Sequence, residues 1–329
     1  MNAEGTVGSG RTLLAEWFNR LGALAGLVGI FLLFALIGPP GFSSAYNLET
    51  IARQTTIVAT AALGMTLVII AGGIDLSVGS IIALVTVVIA GLLQLGADPA
   101  LAAAGGILAG AACGALNGGV IVRFRVVPFI VTLGTLLIVR GIAKGLAREQ
   151  KIDAPLTWLT DLLAALAPER SWQILPPGVW IAVLLALVVT VILYTTRFGR
   201  HLVAIGSNEQ TARLSGVPVE RVKVLVYTLS GALAGVAGLM QFSRLTVGDP
   251  TVAVGLELDV IAAVVIGGGS LAGGEGSVLG TLVGALIMTV IRSGCSQMGL
   301  PNWVQEIVTG AIIVLAVALD RLRHRRGTS

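Results

Sequence analysis

The chain has 329 residues, of which 55% are hydrophobic and only 12% are charged, with a mean hydropathy of +0.94. A soluble domain carries about 25% charged residues, so this composition excludes a soluble globular protein and indicates a chain that folds in lipid. The formal charge of +4 would suit nucleic acid only if the basic residues shared one soluble face, and their distribution argues against that.

Ten apolar runs are long enough to be spanning helices, and their continuity excludes the alternating strands of an outer-membrane barrel. A span needs about 20 apolar residues at about 1.5 Å each. The predicted spans are 22–38, 52–72, 77–95, 99–122, 127–147, 178–196, 223–243, 255–272, 277–293 and 303–320. The sequence thus predicts an all-α polytopic membrane protein, with a transmembrane domain over 21–320 between a segment 1–20 and a basic tail 321–329.

The positions of lysine and arginine predict that both termini lie in the cytoplasm. With ten spans, thirteen of the 21 basic residues fall in cytoplasmic segments, whereas the outer loops 39–50, 95–99 and 294–302 contain none. This is the positive-inside pattern of membrane proteins. The basic residues therefore mark the inner face and its anionic lipid, and nucleic acid is not an expected partner.

An apolar run, "LVIIAGGIDLSVGSIIAL", holds polar residues at its centre. Gly72 and Gly73 can end one helix, and Asp75 can cap the next, with Ser77 in its first turn. The same break could instead face a polar cavity, where these residues and Asn117 of the fourth span would line a substrate pathway. Asn117 can also form an interhelical hydrogen bond. Both interpretations stay open at this point.

A second interruption, "GGGSLAGGEGSVLG", lies between the eighth and ninth predicted spans. Its glycine doublets and single acidic residue resemble those of the first interruption. This similarity is the pattern that an internal duplication would leave. Each interruption, Gly72–Asp75 and Gly267–Gly276, is either a loop between spans or a break inside the membrane.

Two connections are longer than turns. The outer loop 148–177 contains four prolines and two tryptophans, which predicts a short helix lying on the outer surface. In the cytoplasmic segment 197–223, Asn208 or the residue before it can cap a short helix that stops at Gly216 and Pro218. This helix either docks on a soluble partner or is a linker helix that lies at the membrane interface. The candidate docking residues are Ser207, Asn208, Glu209, Ala212, Arg213, Leu214, Ser215 and Gly216.

The residue patterns of catalysis and metal binding are missing from the sequence. The only lysines, Lys144, Lys151 and Lys223, do not follow a glycine, so the chain has no P-loop. The sequence has no H-E-x-x-H motif, and its two histidines and two cysteines stand apart. Glu257 and Asp259 open the eighth predicted span, where anchoring at a helix end accounts for them. We therefore predict no catalytic residue, no metal site and no mid-span carboxylate relay for ion coupling.

Four stretches of the chain resemble the permease subunits of ribose-type bacterial ABC sugar importers. They are "GMTLVIIAGGIDLSVGSIIAL", "VVPFIVTLGTLLIVRGIA", "AIGSNEQTARLSGVPVERVKVLVYTLSGALAGVAGL" and "GLELDVIAAVVIGGGSLAGGEGSVLGTLVGALI". The likeness runs from about residue 45 to 320, and "GGIDLSVG" is its most specific string.

The resemblance implies an ABC importer permease fold in the bacterial inner membrane. It implies a cytoplasmic ATPase that binds ATP and Mg²⁺, a periplasmic sugar-binding protein and a second permease subunit, identical or homologous. The short helix at 207–216 would match the coupling helix of the family, and this chain itself would hold no cofactor. A branched-chain amino acid permease and an ion-coupled secondary transporter are the alternatives.

Overall fold

The computed structural model describes residues 8–166 and 172–326. Among these residues it forms twelve α-helices and two short β-strands. In chain order they are α1 (Gly8–Ile37), α2 (Ala45–Ile70), α3 (Val78–Gln94), α4 (Pro99–Phe124), α5 (Pro128–Leu146), β1 (Ile152–Asp153), α6 (Pro177–Thr195), α7 (Arg197–Ser207), α8 (Glu209–Leu214), α9 (Val219–Leu245), β2 (Val247–Gly248), α10 (Leu256–Ile266), α11 (Val278–Gln297) and α12 (Asn302–Arg326). The predicted helical architecture is confirmed for the described chain.

Six of the described helices are long and apolar enough to cross a bilayer: α2, α4, α5, α6, α9 and α11. Three shorter apolar helices cover Gly22–Ile37, Val78–Gln94 and Asn302–Leu315. A multi-pass membrane protein is therefore confirmed, and the count of ten spans stays a prediction.

The helices at the start of the chain and in the segment 197–223 differ from the prediction. Helix α1 begins at Gly8, inside the polar segment that the sequence placed outside the bundle, because Leu, Ala, Glu and Arg are good helix formers. The segment 197–223, which is predicted to be cytoplasmic, contains two short helices instead of one. Its first helix, α7, starts where the Thr196 hydroxyl accepts the Gly199 N–H at 3.3 Å, and it buries Leu202 and Ile205.

Helix α9 forms the centre of the bundle and packs against α2, α3 and α4. Gly110, Gly114 and Gly118 recur every four residues on α4, so they share one face. A Cβ on Gly114 would overlap the backbone of Tyr227, and one on Gly110 would lie 3.0 Å from the Cα of Gly235. Small residues thus let the two helix backbones touch, as transmembrane helices often do.

Residues 148–166 of the loop 148–177 contain no helix, and residues 167–171 of the predicted outer-surface helix lie outside the described residues. Instead, β1 pairs antiparallel with β2, with Ile152 opposite Gly248. The segment from β1 to Leu163 is bonded to α3, α2 and α9. Gln94 at the end of α3 donates its amide to the Asp153 carbonyl at 2.8 Å. Arg53 of α2 donates to the Leu163 carbonyl at 2.6 Å.

The eighth predicted span, 255–272, forms a helix only over Leu256–Ile266. At about 1.5 Å per residue, these 11 residues cover roughly 16 Å, about half of the hydrocarbon core. The connection before α10 runs back along α3. The Asp249 N–H donates to the Thr86 hydroxyl at 3.1 Å, and a Cβ on Gly79 would overlap the Ala253 carbonyl. Helix α10 therefore starts beside the beginning of α3.

Candidate functional site

The first interruption sets the start of α3. Gly72 has a φ of 76°, which suits glycine and ends α2. Asp75 was the predicted N-cap, but the structure has Ser77 in that position, without a side-chain cap bond. The reason is that Asp75 Oδ1 accepts both the Ser77 N–H at 3.0 Å and the Ser77 hydroxyl at 2.6 Å. The carboxylate therefore holds the turn that precedes the helix.

Asn117 completes this turn from the neighbouring helix. Its side-chain amide donates to the Ser77 hydroxyl oxygen at 2.9 Å, which confirms the predicted interhelical hydrogen bond. Asp75 and Ser77 are fully buried, and Asn117 is 1% exposed. The sequence-predicted pathway residues Asp75, Ser77 and Asn117 are thus brought together, but they are covered by neighbouring side chains.

Two residues of α9 that the sequence analysis missed lie in the same region. The hydroxyls of Tyr227 and Ser230 are buried and have no hydrogen-bond partner among the described residues. Gly73 packs against the Tyr227 hydroxyl, and Gly64 lies close to Ser230. The two oxygens Asp75 Oδ2 and Asn117 Oδ1 are also buried without a partner. The cluster thus brings two hydroxyls of α9 next to the buried carboxylate and amide in the interior of the bundle.

Helix α8 and the residues that flank it contain the predicted docking residues. Asn208 caps it, because the Asn208 side-chain oxygen accepts the Thr211 N–H at 2.9 Å. Gly216, with a φ of 82°, ends it and Pro218 follows, so the predicted start and stop are confirmed. Ser207 instead belongs to the last turn of α7.

The side chains of α8 face in two directions. Ala212 is 4% exposed and packs into the core, whereas Leu214 is 89% exposed. Ser207, Asn208, Arg213, Ser215 and Gly216 are exposed and Glu209 is half-buried. Ala212 thus anchors α8 to the bundle, while the side chain of Leu214 points away from the bundle.

Charged side chains tie α8 to the first turns of α9. Arg213 forms an ion pair with Glu220, and its second contact, to Glu209, is 3.4 Å long. Lys223 donates to Glu209 at 2.6 Å. The hydrogen bond to Glu220 raises the pKa of the Arg213 guanidinium above its ordinary value, so the pair stays charged. The Lys223–Glu209 pair is partly exposed and stabilises the fold by only about 0.2–1 kcal/mol. Its main effect is therefore to hold α8 at a fixed angle to α9.

A cavity of about 300 Å³ lies between this network and the turn from α4 to α5. Arg125 at that turn has a φ of 53° and lines the cavity with Arg213 and Lys223. Its wall is apolar where Val126 and Pro128 contribute. The charged residues of α8 thus form part of a pocket on the surface of the bundle.

The acidic residues Glu257 and Asp259 lie in the first turn of α10, which confirms their predicted place at the start of a helix. Asp259 is 2% exposed and forms an ion pair with Arg292 of α11. Glu257 packs against Gly79 at the start of α3, and Arg140 of α5 donates to the carbonyls of the connection before α10. These contacts hold α10 against α11 and α3, and they fasten the connection before α10 to α5. Among the described residues, no group of three or more His, Cys, Asp or Glu side chains could hold a metal ion.

Comparison with known proteins agrees with this architecture. Residues 47–317 match the family model described as branched-chain amino acid transport system / permease component. The chain therefore belongs to this family of permeases, and it is a multi-pass protein of the inner membrane.

Within the family, the chain is similar to permeases of sugar transport. It is 38% identical over 319 residues to the ribose import permease protein RbsC of Escherichia coli, covering 97% of this chain and 99% of the relative. It is 40% identical over 304 residues to the ribose import permease of Bacillus subtilis, covering 92% and 93%. The L-arabinose ABC transporter permease of Azospirillum brasilense is 36% identical over 305 residues, covering 92% and 88%. No solved structure gives a significant match.

Proposed function

We propose that this chain is the membrane-spanning permease subunit of an ATP-driven ABC importer of a monosaccharide, a ribose-like pentose or a hexose. The similarity to permeases named for ribose and for arabinose supports a sugar as the cargo. A periplasmic binding protein delivers the sugar, and a separate cytoplasmic ATPase binds ATP and Mg²⁺. Two permease subunits, identical or homologous, with ten spans each and both termini in the cytoplasm, form the pore.

The observation that carries the coupling role is the fixed attachment of α8 to the bundle. The capped helix is anchored by Ala212 and joined by ion pairs to α9, while Leu214 is left exposed. A partner that moves α8 would therefore move α9, and α9 packs against α2, α3 and α4. This arrangement supports alternating access driven from the cytoplasm, in which each partner favours one state of the bundle.

The polar cluster at the start of α3 borders the proposed pathway. Because Asp75, Ser77 and Asn117 are covered, we assign to them the positioning of α3 in the state described here. Contact between the sugar and these side chains, or Gly72 and Gly73, would require α3 to shift during transport. The outer segments 148–177 and 244–256 form the proposed docking surface for the binding protein.

The proposed function is tested by uptake of labelled sugars. The chain is reconstituted in liposomes with its cognate ATPase and binding protein, and labelled ribose, arabinose and leucine are compared. We expect ATP-dependent accumulation of a sugar. Accumulation of leucine would support the amino acid importer that the family description names. Accumulation of sugar by the chain alone under an ion gradient would show a secondary transporter and contradict the proposal.

The docking role of α8 is tested with a matched pair of leucines. Leu214→Glu is expected to reduce co-purification of the ATPase, because a charge replaces an exposed apolar contact at the proposed interface. Leu156→Glu is the control, since Leu156 is 80% exposed in the outer loop. Equal ATPase binding by both variants would show that α8 is only a linker between helices.

A further inference from the structure

The end of α7 touches both glycine-rich interruptions. Gly274, in the second interruption, donates its backbone N–H at 2.9 Å to the carbonyl of Ile70, the last residue of α2. Gly206 of α7 packs directly over this hydrogen bond, so a Cβ on Gly206 would overlap both the Ile70 oxygen and the Gly274 nitrogen. Three segments that are distant in sequence therefore meet through their backbones at one point.

Neighbouring contacts leave no space for a side chain at this point. Gly273 and Gly274 have φ values of 91° and 81°, which favour glycine. A Cβ on Gly273 would lie 2.7 Å from the Gly206 oxygen and 3.0 Å from the Gly72 Cα, and one on Gly274 would lie 2.7 Å from the Ser207 hydroxyl. Real Cβ atoms essentially never come within 3.0 Å of such neighbours. The contact therefore depends on glycine at three positions.

We propose that this backbone contact, which we call the glycine junction (Ile70, Gly72, Gly206, Gly273 and Gly274), transmits motion of α7 and α8 to both interruptions together during transport. The inference rests on the proposed function and assigns positions in the chain that carry out its coupling. Gly206 is a positioning residue, because it acts on the interrupted helices through α7 and lies outside α8.

The physical reason is that packed backbones have no rotamers with which to absorb a displacement. A shift of α7 must either move the Ile70–Gly274 pair with it or break the packing, because packed interfaces change between discrete arrangements. Along the chain, Ile70 is followed by Gly72 and then by the polar cluster at the start of α3. Gly274 belongs to residues 267–277, which join α10 to α11. The backbones of these two helices touch where Gly267 meets Gly280.

The first test compares Gly206→Ala with Gly134→Ala, in liposomes that contain the full transporter. Gly134 on α5 has no atom within 4 Å of the position of a Cβ. The readout is the amount of sugar imported per ATP hydrolysed. We expect Gly206→Ala to lower this ratio by about fivefold or more, the usual lower range of coupling between sites, and Gly134→Ala to preserve it. Simple loss of folded protein would lower import and hydrolysis in proportion and leave the ratio unchanged, which would overturn the proposal.

The second test uses the wild-type complex and so does not depend on the folding of a variant. Amide hydrogen exchange is compared between the nucleotide-free complex and the complex trapped with ATP and vanadate. We expect exchange in 70–77 and in 267–277 to change together with exchange in 197–207. A change confined to 197–216 would overturn the junction. If the wild-type transporter imports none of the sugars tested, the proposed function fails, while the exchange response still decides whether the junction transmits motion.

Discussion

Ser77 holds the start of α3 through two hydrogen bonds, so Ser77→Ala is expected to destabilise the protein. Its hydroxyl donates to Asp75 and accepts from Asn117. The substitution leaves one carboxylate oxygen with a single donor and the Asn117 amide without an acceptor, both in the buried interior. Each buried polar group left unpaired costs about 1–3 kcal/mol, whereas hydrogen bonds between membrane helices average about 0.6 kcal/mol because the unfolded chain also finds partners. We expect a loss of about 1–3 kcal/mol, because only the Asn117 amide is left without a partner while the Asp75 oxygen keeps the N–H of residue 77.

Ser80 is the matched control for this substitution. It lies one turn further along α3, is fully buried and has a hydroxyl without a partner among the described residues. Ser80→Ala removes a buried hydroxyl that makes no hydrogen bond, so its stability is expected to stay within about 0.5 kcal/mol of wild type or to rise. Unfolding of purified protein in mixed micelles can be followed by the reactivity of Cys295, which is 3% exposed in the folded chain. Equal unfolding midpoints for the two variants would refute the role of Ser77.

The helix seam and the outer loop provide two further predictions. Gly114→Ala is expected to destabilise by about 1–3 kcal/mol through overpacking against α9, whereas Gly119→Ala, with no atom within 4 Å of its Cβ position, is expected to be neutral in the same assay. In the connection before α10, burial raises the pKa of Asp249, but hydrogen bonds from Thr251 and the ion pair with Lys151 outweigh burial, so the pKa lies below the ordinary 3.8. The ionised Asp249 therefore stabilises the folded protein at pH values above its pKa in the unfolded chain. This stabilisation is lost as the pH falls through its lower pKa in the folded protein. Below about pH 4, wild type should therefore lose stability relative to Asp249→Asn, and parallel pH curves would contradict this.

The parts of the site that could be predicted from the sequence depend on short-range chemistry. The Asn208 cap and the Gly216 stop of α8 were predictable because capping and left-handed glycine act within a few residues. The hydrogen bond of Asn117 was predictable in kind, since an amide in a spanning helix needs a partner. Its partner Ser77 was not predictable, because the contact joins two helices whose relative position the sequence does not state.

The other features arise from packing between distant segments. The short α10 was missed because hydropathy continues smoothly through Ile266 into the glycine-rich loop, and composition cannot show that Gly267 and Gly280 touch. Tyr227 and Ser230 look like ordinary residues of an apolar helix until α2 and α3 are placed beside them. The α7 helix was missed because its apolar residues are spaced among charged ones, which resembles a polar linker.

The hydrogen bonds that fasten the 152–166 segment across α2, α3 and α9 have a consequence for how cargo enters. Separating the outer ends of these helices would break the Gln94, Arg53 and Ser243 bonds to that segment in one step. The ends of α2, α3 and α9 at this segment are therefore fastened together, so they would move as one unit. An entrance for cargo would therefore open beside this unit and not between its three helices.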